Sequence, residues 1–275
     1  MKKLLTFSLF CYLLVIVSCS KSLNKPDDVL AEPANKTARV SSTKSDLLTS
    51  QTWVYYEYFK KFNSIPTGLV WKTNRSANDL NLASNKVTFF PSGNYTEIDQ
   101  NGTTYNGTWL FLNNETEVRV TSSQGTFTST IQKLTSGRYE WLDTAGHYGV
   151  MVPDSLVIDT TGGKLALLTS QPWVYTEYFS NFSLSTPSLI WKPNKANSTL
   201  NLSQNWVKFN TNGTYTEIDQ NGITYNGTWT FLNNQTQVQV TNSQGTFTST
   251  IKVLSTDRYE WLSSNGVAYG EMEHP

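Results

Sequence analysis

The chain reads as all-β: two tandem, small antiparallel meander β-barrels of eight or nine strands each, following a signal peptide and a flexible tether. A shift of 120 positions carries Leu47-Leu48-Thr49-Ser50-Gln51 onto Leu167-Leu168-Thr169-Ser170-Gln171. Tyr95 to Gly102 then recurs unchanged from Tyr215 to Gly222, and Gly125 to Ile131 from Gly245 to Ile251. About 60 of the 100 positions from 47 to 146 are identical between the copies. A repeat of roughly 105 residues is too long for a solenoid unit and suits an independent domain. Within a copy, Gly93, Gly102, Gly125, Gly137 and Gly146 punctuate the chain, with Asn113-Asn114 as a further turn. That cadence of about 9 to 13 residues is that of a β-meander.

Between the turns the apolar residues alternate, as in Val87 and Phe89, Tyr105 to Phe111, Val118 and Val120, and Tyr139 and Trp141. A period of two with β-branched and aromatic enrichment means strands with one buried face. A long first strand is expected near Gln51 to Lys60 and a shorter one near Leu69 to Lys72. Such a meander leaves two open edges unless the first strand pairs with the last, which favours closure. Asn106-Gly107 interrupts no alternation, so it fits a glycine kink at a barrel corner beside Trp109 better than a hairpin turn.

The first 18 residues precede this pattern. Lys2 and Lys3 are followed by an apolar run from Leu4 to Val17, the length of a signal-peptide core and short of the ~20 residues that span a bilayer. Ile16-Val17-Ser18-Cys19 resembles a bacterial lipobox, which implies that Cys19 is acylated and becomes the new N-terminus. Several acyl chains, as the resemblance implies, convert marginal membrane binding into stable anchoring. Cys11 would leave with the leader, so the mature chain would carry no free thiol. Residues 19–46 are polar, include Pro26 and Pro33, and read as a tether averaging about 30 Å end to end. The remaining divisions are barrel 1 over 47–153, a linker over 154–166 containing Gly162-Gly163, and barrel 2 over 167–275.

Composition narrows the partners. Lys+Arg and Asp+Glu are each 21, and loss of Lys2 and Lys3 leaves 19 − 21 = −2. A chain without basic excess lacks the nonspecific affinity for phosphate backbones that nucleic-acid binders use, so no nucleic acid partner is expected. His147 and His274 have no counterparts in the other copy, which excludes a duplicated His-based catalytic or zinc site. No Asp-x-Asp-x-Asp-Gly loop is present, and neither a metal nor a cofactor is expected.

Glu57, Glu97, Asp99 and Glu140 reappear as Glu177, Glu217, Asp219 and Glu260. Glu97 and Asp99 are two apart on one strand, so their Cβ atoms share a face about 7 Å apart, a spacing loosely compatible with inverting glycoside hydrolysis. The simpler reading is a hydrogen-bonded pair near a barrel mouth, with ligand contact as the intermediate case. Of the nine Trp, those at 71, 191 and 206 are the candidates for exposed rings, able to stack on sugars. A satellite cluster beneath the long loop after Trp71 is the plainer alternative. Trp53, Tyr55, Phe59, Phe89, Tyr95, Trp109, Phe111, Phe127, Tyr139 and Trp141 are expected inside barrel 1, where so many rings argue for a filled core, with an aromatic pocket at one end as the alternative.

Leu47 to Trp53, Val87-Thr88-Phe89, Gly93 to Thr96, Gly107-Thr108-Trp109 and Ile131 through Leu134 to Trp141, with their counterparts from Leu167 to Trp261, resemble lipocalin-like domains of Gram-negative lipoproteins. The resemblance covers nearly all of both repeats. It implies a small meander barrel and carries no catalytic residue. Classical lipocalins have a Gly-x-Trp opening and a disulfide that are missing here. The expectation is a lipid-anchored cell-envelope protein at the outer membrane, periplasmic or surface-facing, held to the membrane through acyl chains on Cys19. Its two barrels would form a non-enzymatic module for a glycan or another ligand, with candidate contacts at Trp71, Trp191, Trp206, Glu97, Asp99, Glu217 and Asp219. A small-lipid carrier and a carboxylate-dependent glycoside hydrolase are the alternatives.

Overall fold

The computed structural model describes residues 43–155 and 163–275. The leader, Cys19 and nearly all of the tether lie outside the described residues. Thr43 opens a short helix, α1 (Lys44–Thr49), through a capping box: its hydroxyl accepts from the Asp46 amide at 3.1 Å while the Asp46 carboxylate accepts from the Thr43 amide at 3.0 Å. The helix therefore begins inside the stretch read as tether. Its repeat, α2 (Gly163–Thr169), begins inside the stretch read as linker.

Nine strands follow in the first copy: β1 (Thr52–Phe59), β2 (Leu69–Lys72), β3 (Lys86–Phe89), β4 (Asn94–Ile98), β5 (Thr104–Leu112), β6 (Glu117–Ser122), β7 (Gly125–Thr135), β8 (Arg138–Asp143) and β9 (Tyr148–Pro153). The second copy repeats them as β10 (Trp173–Ser180), β11 (Ser188–Trp191), β12 (Trp206–Phe209), β13 (Thr214–Ile218), β14 (Thr224–Leu232), β15 (Gln237–Asn242), β16 (Gly245–Leu254), β17 (Arg258–Ser263) and β18 (Tyr269–Glu273). Every pairing is antiparallel, and β1 pairs with β9 as β10 does with β18. Each copy is thus a closed eight-stranded barrel. β2 adds a ninth strand by taking the edge of β1 at Glu57–Phe59, while β3 takes it at Thr52–Val54. Closure removes the free edges that an open meander would expose.

Gly107 sits within β5, as the unbroken alternation predicts. A Cβ there would overlap the Thr121 carbonyl oxygen, so only glycine lets β5 and β6 approach this closely. The β5–β6 turn is made by Asn113 and Asn114 at φ 50 and 54, in the left-handed region that Asn tolerates best after glycine.

Inside barrel 1, Trp53, Phe89, Tyr95, Trp109, Tyr139 and Met151 pack together with Leu48 of α1. The Trp53 indole donates to the Leu48 carbonyl at 2.9 Å, fastening the helix across one end of the barrel. Trp173 and Leu168 repeat the contact at 3.0 Å in barrel 2.

Two rings expected in this core are elsewhere. Phe59 is fully buried but belongs to a cluster shared by both barrels. The reason is a β-bulge: Tyr55 pairs with Met151 and Glu57 with Val150, so Tyr56 is an extra residue and every later side chain of β1 changes face. Tyr58 turns inward instead, packing against Tyr55 and Trp141. Phe127 is 53% exposed and stands at the rim, two residues beyond Gly125, which closes the tight β6–β7 turn.

The bulge also builds the junction between barrels. Phe59 and Phe179 stack at 6.3 Å with planes 4° apart, flanked by Phe62 on Tyr148 and, symmetrically, Phe182 on Tyr269. All six residues of β9 are buried because one face meets the barrel interior and the other meets the second copy. Both barrels belong to one compact unit.

Candidate functional site

The end of barrel 1 opposite α1 opens into a cavity of about 270 Å³. Its walls are aromatic, with Tyr55 and Tyr58 from β1, Phe89 from β3, and Tyr139 and Trp141 from β8. Trp141 lies flat against β9 because Gly149 stands beneath it, where a Cβ would overlap the indole. The rim carries Gln124 and Phe127 from the β6–β7 hairpin, facing Asp143 and His147 at the β8–β9 turn.

Three polar groups point the chemistry. Glu97 on β4 lines the cavity, and one of its oxygens accepts from the Tyr95 hydroxyl at 2.6 Å. Asp143 accepts from the His147 backbone amide at 2.8 Å and pairs with His147 Nδ1 at 2.7 Å. The imidazole stacks on Tyr58 at 6.0 Å with planes 27° apart. Burial and the Glu97 charge push the Tyr55 hydroxyl well above its usual pKa, and burial together with Asp143 and Glu97 raises that of Tyr58. Both phenols stay protonated and can donate to a guest.

Barrel 2 keeps the aromatic walls in Tyr175, Tyr178 and Trp261, and it keeps the acid: Glu217 accepts from Tyr215, and burial raises its pKa. Its rim differs. Ser263 replaces Asp143 and Val267 replaces His147, with one extra residue, Ala268, before β18.

The structure divides the paired carboxylates. Glu97 lines the cavity, whereas Asp99 lies past the end of β4 and caps a turn, accepting from the Asn101 and Thr103 amides at 2.8 and 2.9 Å. Asp219 does the same with Asn221 and Ile223. Trp191 is only 6% exposed and does not form the open platform expected of it. It lies on β11, under the loop leading to β12, at the base of a broad groove of about 650 Å³ that also involves Lys195 and Asn201. Trp71 is half-buried, its indole donating to the Tyr55 carbonyl at 3.2 Å. Trp206 is half-buried in β12, paired to Val174 and Ile218. The loop after β11 folds back over Trp191, which is why that ring is covered.

No family model and no curated protein matches the chain. Among solved structures, a lipocalin-like protein from Bacteroides uniformis ATCC 8492 is similar at 13% identity and a TM-score of 0.29, over 39% of this chain and 98% of the other. A DUF4847 family protein from Bacteroides vulgatus ATCC 8482 is similar at 15% identity and a TM-score of 0.30, over 41% and 98%. Neither match assigns a ligand or a residue role.

A second titratable cluster is sealed between the barrels. Lys72 donates to Glu57 at 3.1 Å and to Glu177 at 2.5 Å, and Lys192 donates to the same two carboxylates at 2.7 Å each. Arg138 bridges to Glu271 at 2.8 Å and pairs with Glu140, while Tyr56 of barrel 1 donates to Glu260 of barrel 2. Burial works against each charge. The ammoniums around Glu57 outweigh it and hold that carboxyl below its usual range, whereas burial and the neighbouring Glu57 charge push Glu177 up to about 7. With these groups buried and facing one another, the cluster fastens the barrels together and offers a ligand no access. Glu57, Glu140, Glu177 and Glu260 stand out as repeated acids in the sequence; the β1 bulge and its repeat in β10 turn Glu57 and Glu177 outward, while Glu140 and Glu260 face the junction by alternation with their inward neighbours. The Asp143–His147 pair has no repeat in the second copy to mark it; the i,i+4 spacing across Gly146 is its one signal in the sequence.

Proposed function

We propose that this chain is a non-enzymatic, lipid-anchored envelope protein whose first barrel takes a small ligand into its open end. The observation that carries the reading is the aromatic-walled cavity with polar groups at its rim, since binding sites combine an apolar enclosure with a few convergent polar atoms. At about 270 Å³ it sits just below the usual range of ~300–1,000 Å³ for ligand pockets, which suits a compact molecule and disfavours a long-chain lipid. Eight strands leave room for one small ligand at most. Stacking on Trp141 with hydrogen bonds to the rim also suits a monosaccharide unit, so the glycan reading moves from the outer tryptophans into the mouth. A hydrolase built on Glu97 and Asp99 is disfavoured because the two carboxylates do not converge.

Anchoring rests on Lys2-Lys3, the apolar run and Ser18-Cys19. The test has two parts. Detergent-solubilised full-length protein, titrated with small amines, aromatic alcohols and monosaccharides, should show saturable quenching of tryptophan fluorescence that is lost in Trp141→Ala. A flat response across the panel contradicts the binding site. Metabolic labelling with palmitate should mark the wild-type chain and leave Cys19→Ala unlabelled; equal labelling contradicts the anchor.

A further inference from the structure

The mouth of barrel 1 has a charge character that its aromatic walls alone do not explain. Glu97 and Asp143 both line it, and among the described residues lining it there is no lysine or arginine. Glu97 Oε2 is engaged by Tyr95, while Oε1 accepts no hydrogen bond among the described residues. A carboxylate with a free acceptor, set among ring faces that carry negative quadrupolar charge, makes a local negative potential that low-dielectric walls concentrate. Anions are repelled from such a site. A neutral polyol can hydrogen-bond there and lay its C–H groups on the rings, but it brings no full charge for Glu97 and the ring quadrupoles to attract. An ammonium gains from both, donating one N–H hydrogen bond to Glu97 Oε1 while the faces of Tyr55, Tyr58 and Trp141 attract its charge.

Resting on the reading of this lumen as a ligand site, we propose that the mouth of barrel 1 selects a small organic ammonium, a primary amine cation carried on a compact aromatic or branched apolar body. The ammonium sits by Glu97 and the apolar body fills the space between Trp141 and Phe89. The Asp143–His147 pair closes the rim on the side facing Phe127. Barrel 2 lacks this rim pair: Ser263 and a 40%-exposed Val267 stand in its place, so one carboxylate is missing and an apolar side chain takes the imidazole position. The two mouths are therefore chemically distinct within a repeat that is otherwise about 60 in 100 identical.

The experiment is calorimetric titration of the full-length protein in detergent at neutral pH with three probes of similar shape: 2-phenylethylammonium, 2-phenylethanol and phenylacetate. The ammonium should bind at least tenfold more tightly than the alcohol, and phenylacetate should show no heat of binding. Glu97→Gln, which preserves an acceptor for Tyr95, should lower the ammonium affinity at least tenfold and erase its advantage over the alcohol measured on the same variant. Asp143→Asn, at the rim and outside the Tyr95 contact, provides a second variant with a smaller loss in the same direction. The proposal is overturned if the alcohol or phenylacetate binds as well as the ammonium, or if both variants keep the preference. Alcohol binding that is abolished by Ser129→Phe, with no advantage for the ammonium, would sink the proposal while upholding the lumen as a ligand site. Binding by none of the probes would sink both.

Discussion

Glu57 and Glu177 hold the same place in the two repeats, and each accepts hydrogen bonds from both Lys72 and Lys192, so that two carboxylates and two ammoniums alternate around a closed, buried ring. The geometry is that of an isologous contact, in which one surface meets its own copy. The symmetry is incomplete. Where β9 has Val150, β18 has Glu271, so the junction holds Glu57, Glu140, Glu177, Glu260 and Glu271 against Lys72, Lys192, Arg138 and Arg258. One acid is in excess. Glu260, pushed well above the usual carboxylate range by burial and by Glu271, is the natural holder of the remaining proton.

Removing one member of the ring should therefore be costly. Lys72→Ala leaves Glu57 and Glu177 with Lys192 alone between them and takes one of two cations from Glu271. Breaking a buried pair from one side typically costs about 3–5 kcal/mol. Urea unfolding should show a loss of that order, with Lys192→Ala close behind and surface Lys44→Ala within about 0.5 kcal/mol of wild type.

The pH dependence has a definite sign. Glu177 holds its proton up to about pH 7 when folded, against a usual value of 4.5. Between those values the folded state carries a proton that the unfolded chain has released, so stability from this group falls as pH rises, by at most about 1.4 kcal/mol per pH unit for one proton. Burial tends to raise Glu140, but Arg138 beside it prevails and holds it down to about 2, so its contribution is lost as pH falls from 4.5 toward 2. Chemical denaturation across pH 3 to 8 should show maximal stability near pH 4.5 to 5. Glu177→Gln should reduce the decline between 5 and 7, leaving the part that the raised carboxyl of Glu260 contributes.

The junction should hold without a covalent link. A protease site placed within residues 156–162 and cleaved should leave the two barrels co-eluting in size-exclusion chromatography. In Lys72→Ala combined with Lys192→Ala, the cleaved halves should separate.

Two glycines predict different outcomes. Gly107→Ala sets a methyl against the Thr121 carbonyl, where backbone must move, and should cost about 1–3 kcal/mol with little effect on the mouth. Gly149→Ala meets the Trp141 indole instead, driving it into the cavity. That variant should weaken ligand binding at least tenfold, read by titration, even where its thermal stability recovers.

Much of the architecture could be read from residues alone, because a period of two and regular turns are local signals. Eight or nine strands per copy, the closing pair of first and last strand, and the place of Gly107 inside a strand follow from them; that Gly107 serves the close approach of β5 to β6 does not. Barrel contents were harder. One extra residue at Tyr56 reverses the face of everything after it, and nothing in Tyr55-Tyr56-Glu57 announces a bulge. Phe59 thus reads as interior when it belongs to the seam between barrels, where Glu57 also lies. Trp191 read as exposed because a short strand before a polar loop looks solvated, whereas the loop folds over it. The site itself was half visible: Glu97 and the aromatic walls could be named, but Asp143 and His147 acquire meaning only when the β8–β9 turn sets them above the lumen.

A crystal structure of the full-length protein grown with 2-phenylethylammonium tests the central claim most directly. Electron density for the probe inside the mouth of barrel 1, touching Trp141 and within hydrogen-bond distance of Glu97, is the predicted result. A barrel 1 mouth filled by its own side chains, or the probe bound only outside it, would contradict the account.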